Sequence, residues 1–211
     1  MQLAPYTPQQ ELANVLTHAF GLLLSIVGVP FLVAIAVQHQ LGVPQLASIG
    51  LYALSLLLVY SCSTAYHAVT DLALKWKLKL LDHICIYLLI AGSITALLPR
   101  YVAPGQSTVF LIAIWCAVIG GIVFKIFFVG RFKLASTIIY LLLGGSAFIM
   151  VKPLYAQMPA EGFYALMGGA ASYGLGTIFY LNKRIYYQHA IWHVFVLGGS
   201  VGHYIALLYS I

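Results

Sequence analysis

Residues 12–37 read LANVLTHAFGLLLSIVGVPFLVAIAV, a run without a single aspartate, glutamate, lysine or arginine. A helix needs about 20 predominantly apolar residues to cross the hydrocarbon core of a bilayer, and this run is long enough. Six further stretches have the same character: Gln45–Tyr66, Leu81–Leu98, Thr108–Phe128, Leu134–Val151, Phe163–Asn182 and Ala190–Ile211. Between them stand turn and charge signals such as Gly42-Val43-Pro44, Lys75-Trp76-Lys77-Leu78-Lys79, Pro104-Gly105 and Asn182-Lys183-Arg184. The spacing predicts an all-α integral membrane protein, a bundle of seven transmembrane helices. Its loops are too short for a second domain, so residues 1–211 read as one unit with a short uncharged tail over residues 1–10.

Composition supports the same class. Of 211 residues, 63% are hydrophobic and 7% charged, and the mean hydropathy is +1.00. Soluble domains carry about 25% charged residues, and disorder requires low hydrophobicity with high charge. Both classes are excluded. The net charge of +6 would raise nucleic acid in a soluble protein, but here the basic residues punctuate apolar runs and read as topology determinants. Membrane lipids, not nucleic acid, are the expected partners. Three cysteines, Cys62, Cys85 and Cys116, lie inside apolar runs and suggest packing rather than a disulfide framework.

The basic residues also predict orientation. Loops after the second, fourth and sixth spans hold Lys75, Lys77, Lys79, Lys125, Arg131, Lys133, Lys183 and Arg184, against Arg100 and Lys152 on the other side. Eight against two places the N-terminus in the cytoplasm and the C-terminus outside. Residues 1–18 hold no lysine or arginine, so the first span is expected to be an uncleaved helix and not a signal peptide. A rhodopsin would need a lysine in the last span, and Ala190–Ile211 has none.

On this topology the polar residues gather in one layer at the cytoplasmic ends. Glu11, Asn14 and His18 begin the first span, Ser63 and His67 end the second, Asp82 and His83 begin the third, and His189 and His193 begin the seventh. Ionisable groups at membrane depth are costly and mark function. The spacing of His189 and His193 puts two imidazoles on one helix face, where they can share a metal, and His67 could add a third. Three imidazoles and a water form the open tetrahedral zinc site used in catalysis. Ser63 stands one turn before His67, and Asp82 is placed as a general base.

The plainer readings have weight. A lone histidine at the interface is usually a polar tip among headgroups, which suits His39 and is the expectation for His18 and His83. Glu11 and Asn14 can serve as a helix-start cap and charge, and Tyr186, Tyr187 and Trp192 as an interfacial belt. His203 has no assigned role. Gly198-Gly199-Ser200-Val201-Gly202 fits a GxSxG pattern but lies mid-helix, where small residues mean close packing.

Taken in order, Glu11-x-x-Asn14-x-x-Thr17-His18, Ser63-x-x-x-His67, Leu81-Asp82-His83 and His189-x-x-x-His193 resemble the hemolysin III family, the bacterial branch of the progestin and adipoQ receptors. The resemblance covers residue 11 to the C-terminus. It implies a multi-pass protein of the bacterial inner membrane with a zinc ion held by His67, His189 and His193, and with Asp82 and Ser63 beside the metal. The wider superfamily includes alkaline ceramidases, so zinc-assisted hydrolysis of a lipid or acyl amide is implied. His83 after Asp82 departs from the eukaryotic receptors, which weakens the substrate analogy. The alternative is a membrane sensor or regulator with a structural zinc. The cytolytic role in the family's name sits poorly with a multispan chain that has no evident water-soluble form.

Overall fold

The computed structural model describes residues 6–211. It is all-helical over those residues: α1 Pro8–Gln38, α2 Val43–Ala68, α3 Leu72–Leu97, α4 Pro104–Phe128, α5 Lys133–Ser146, α6 Val151–Gln157, α7 Ala160–Leu181 and α8 Gln188–Leu208. A 3₁₀ turn over Ala147–Met150 joins α5 to α6, and the two together occupy one span. Six helical segments are long and apolar enough to cross a membrane, with α5 and α6 counted together. The remaining long helix, α7, has 22 residues. It carries glycine and tyrosine where the others carry leucine and isoleucine, which makes it the least apolar of the expected spans.

Residue placement is that of a protein dissolved in lipid. On α1, Asn14 and His18 are 1% and 3% exposed, while Leu16, Leu23 and Phe31 are 59%, 57% and 57% exposed. Polar side chains face the bundle and large apolar ones face out, the reverse of a soluble helix.

Helix starts follow local chemistry, and two differ from expectation. α1 begins at Pro8, ahead of the expected tail boundary, because Thr7 and Gln10 form a reciprocal capping box; residues 1–5 of that tail lie outside the described residues. α3 begins at Leu72 and takes in the lysine run read as a loop, with Asp71 capping the Leu74 amide at 2.8 Å. Lysine is a good helix former, and Lys75, Lys79 and Asp82 share one buried face of this helix. Asp82 and His83 therefore sit about three turns into the helix, not at its start. The fifth span breaks at Ala147–Met150, where the Pro153 ring opposes the carbonyl four residues earlier and Gly144-Gly145 weakens the helix.

α7 and α8 lie in close backbone contact. A Cβ on Gly202 would stand 2.6 Å from the Ala165 carbonyl oxygen and 2.7 Å from the Gly169 Cα. The GxSxG pattern is thus a packing surface, and its Ser200 hydroxyl is held by the Tyr60 and Tyr173 hydroxyls, each at 2.9 Å. Trp192, read as part of an interfacial belt, instead covers Gly176 of α7.

Candidate metal centre

α1, α2, α3 and α8 meet at one end of the bundle. His67 on the last turn of α2 is 2% exposed and His193 on the second turn of α8 is 1% exposed. Together with His189, one helical turn before His193, they present ligand atoms that all lie within 4.8 Å of one another. The Nε2 atoms of His67 and His189 are 3.2 Å apart. Two ligands of a tetrahedral ion bound at about 2.0–2.1 Å lie about 3.3 Å from each other, so this spacing suits a shared ion.

The hydrogen bonds around the ring set the tautomers. His67 Nδ1 lies 2.6 Å from Glu11 Oε2, and a carboxylate can only accept, so Nδ1 carries the proton and Nε2 is left bare. His193 Nδ1 lies 3.2 Å from the Asn14 carbonyl oxygen and 3.0 Å from the Thr17 hydroxyl; it too carries its proton on Nδ1, freeing Nε2. This arrangement, a ligating histidine oriented by an oxygen on its far nitrogen, is what metal-binding imidazoles use. His189 Nδ1 is buried without a partner among the described residues, so nothing there fixes its tautomer. Nε2 of His189 can therefore donate to the bare Nε2 of His67 across 3.2 Å, or, with its proton on Nδ1, join it in facing a cation. The three histidines can hold a metal ion, and the donor set fits one.

Glu11 is the residue that sequence reasoning undervalued. Its second oxygen accepts from Lys75 Nζ at 2.9 Å, and Lys75 also donates to the Tyr66 and Val69 carbonyl oxygens at 3.0 Å each. Capping of α1 falls to Thr7, so Glu11 is free to join α1, α2 and α3. The signal was present in the spacing: Glu11, Asn14 and His18 fall on one helix face. Tyr6 closes the end of the site, its ring stacked on His189 with centroids 5.3 Å apart. Burial first, then the Glu11 and Asp82 carboxylates, push its phenol pKa up.

A cavity of about 320 Å³ opens beside the histidines, lined by His18, Asp82, His189 and His193 at one end and by Leu97 and His203 at the other. His189 and His203 are fourteen residues apart on α8, a rise of about 21 Å. Most of the wall between is apolar. Asp82 is 9% exposed and shares this cavity with two of the three histidines. Beside it, His83 Nδ1 turns to the Lys79 carbonyl oxygen at 2.7 Å. Ser63 is fully buried one turn before His67 and has no hydrogen-bond partner among the described residues, but it does not form part of the cavity wall. His18 is not a headgroup tip: it is buried against His193. His39 is exposed in the turn after α1.

Comparison with known proteins identifies the family. The family model described as Haemolysin-III related matches residues 6–204. The chain is 42% identical to the Hemolysin-3 homolog of Bacillus subtilis over 207 residues, 97% of this chain and 95% of that protein. It is 38% identical to Hemolysin-3 of Bacillus cereus over 203 residues, covering 96% and 92% of the two. The human Monocyte to macrophage differentiation factor is 27% identical over 215 residues, 95% and 84% of the respective chains. With four helices bringing the quoted motifs to one buried centre and a family match over nearly its full length, this membrane protein belongs to the hemolysin III family.

Proposed function

We propose that the protein is a zinc-dependent hydrolase of lipid or acyl amides, drawing its substrate from the cytoplasmic leaflet. The observation that carries this reading is the junction of two features: the clustered imidazoles of His189 and His193 line a long apolar cavity with the Asp82 carboxylate on its wall. A structural metal site has no need of such a cavity. Three imidazoles favour zinc over the oxygen-seeking cations, and a bound zinc would polarise a carbonyl and acidify a water. The chain's own groups do the rest. The apolar wall takes the acyl tail and excludes water, and Asp82 takes a proton from the attacking water. Glu11, Asn14 and Thr17 hold the ligand rings in place.

In this reading all seven spans cross, α7 included, with the metal end in the cytoplasm. The eight-to-two basic asymmetry supports that orientation.

The test is hydrolysis of a mass-tagged N-acyl amide by wild type, Asp82→Asn and zinc-stripped protein. Asp82→Asn keeps the shape of the side chain but removes the proton acceptor. It should lower turnover by about 10²–10⁴-fold, the usual loss when a general base is removed, with zinc content kept. Wild type that is no faster than zinc-stripped protein across a broad lipid panel would sink the enzyme reading. Zinc would then be a structural tie between α2 and α8, as a membrane sensor or regulator would use it.

A further inference from the structure

His18 takes no part in the arrangement described so far. It lies on α1 one turn beyond Asn14, is 3% exposed and lines the cavity. Its ring lies flat on His193, with centroids 3.5 Å apart and 20° between planes, and meets Tyr60 edge-on at 5.1 Å. Neither of its nitrogens has a hydrogen-bond partner among the described residues.

This placement excludes His18 from the ligand set. A metal bound by His193 lies in the plane of that ring, and the lone pair of an imidazole lies in the plane of its own. With nearly parallel rings 3.5 Å apart, His18 cannot direct a lone pair at an ion that His193 binds at about 2.0–2.1 Å. The fold does not explain the residue either. A neutral imidazole carries one donor and one acceptor in either tautomer, and burying both unpaired is a standing cost that phenylalanine would avoid in the same slot.

We propose that His18 binds the polar head of the lipid that the cavity holds, donating from one nitrogen to a carbonyl and accepting at the other from an O–H or N–H. Heads that supply an acceptor and a donor a few ångströms apart are those of N-acyl amino alcohols, which carry an amide and a hydroxyl. A fatty-acid anion supplies acceptors only and leaves one nitrogen of a neutral imidazole opposed to oxygen; pairing both would require charging a ring that is 3% exposed, at a desolvation cost. His18 therefore favours the intact amide over the free acid, which helps the acid to leave. This inference rests on the cavity as a lipid site but not on hydrolysis.

The experiment uses the full chain in detergent, zinc-loaded, with N-palmitoylethanolamine and palmitate as the probes in a binding competition. Wild type should bind the amide about tenfold more tightly, the ratio set by one hydrogen bond left unmade. His18→Phe keeps the stack and the shape. It should retain wild-type zinc and a melting temperature no lower than wild type, while the amide-to-acid ratio falls to about one. His18→Gln, which keeps a donor and an acceptor, should restore part of the preference. A wild type without preference, or a His18→Phe protein that retains it, would overturn the proposal. So would a His18→Phe protein that loses zinc or fails to fold, because the nitrogens would then serve the metal or the fold. Absence of hydrolysis with the preference intact would end the enzyme reading and leave this one standing.

Discussion

Replacing Glu11 with glutamine should weaken zinc binding by about 10- to 100-fold, the usual cost of losing a partner that orients a ligand. The geometry shows why so small a change matters. Glu11 receives two donors, His67 Nδ1 at 2.6 Å and Lys75 Nζ at 2.9 Å, one on each oxygen. Glutamine offers one oxygen and one amino group. If its oxygen faces Lys75, its amino group faces His67 Nδ1. That contact is satisfied only when the ring moves its proton to Nε2, and a protonated Nε2 cannot bind metal. If its oxygen faces His67 instead, the ligating tautomer survives on a neutral acceptor, and Lys75 falls back on its two carbonyl oxygens. In either case a charge-assisted bond is lost, and such bonds are worth about 1.5–3 kcal/mol. The Glu11 side chain is 20% exposed, so solvent screens part of the Lys75 share. The expected loss is then about 1.4–2.8 kcal/mol in metal affinity, with tenfold equal to about 1.4 kcal/mol. Competition with a chelator of known affinity, on purified wild type and Glu11→Gln, measures it directly. Equal affinities would refute the claim that Glu11 sets the His67 tautomer.

Two further outcomes follow from the same geometry. Elemental analysis should give about one zinc per chain, and His189→Ala should lose it while His39→Ala, in an exposed turn, keeps it; zinc retained in full by His189→Ala would remove the helical pair from the site. A reporter fused after Ile211 should be active only outside the cytoplasm, and one inserted beside Arg131 only inside. A C-terminal reporter active in the cytoplasm would mean either that α7 does not cross or that the metal end faces the other way.

Much of this was legible because the bilayer simplifies the problem. In lipid every backbone group must pair within its own segment, so an apolar run such as 12–37 has little choice but helix. The histidine set was legible because His189 and His193 repeat at the helical period. What the sequence hid was which polar residues turn inward together. The lysines of residues 75–79 looked like a loop, since charge between two apolar runs usually marks one. The helix absorbs them because Lys75 finds acceptors in Glu11 and the end of α2, and Lys79 is buried on the same face. His18 was read as a headgroup contact because nothing in a single chain shows that residue 193 will stack on it. The break before α6 is hidden although Pro153 announces it, since residues 134–151 carry no charged side chain to interrupt the run.

The two ends of the bundle are held by different means, and the difference bears on what metal does. In a bilayer, apolar surface gives no hydrophobic reward for helix association, so close packing and polar bonds must supply it. Along α7 and α8 the glycines supply it: Gly169 and Gly202 bring backbones to a distance at which no side chain fits. At the histidine end the packing is by polar side chains. α1 reaches α2 through Glu11, and α8 through Thr17 and Asn14. Between α2 and α8 at this end the approach is the His67–His189 pair, whose Nε2 atoms face one another at 3.2 Å. A cation there would replace a single neutral hydrogen bond with stronger ligation that closes the ring of three helices. Metal binding is therefore linked to the stability of this end, and its removal should loosen α1 and the start of α8 while leaving the glycine-packed α7–α8 pair intact. The same loosening should open the end of the cavity where His18 and Asp82 lie, so one set of contacts would both hold an ion and close the chamber beside it.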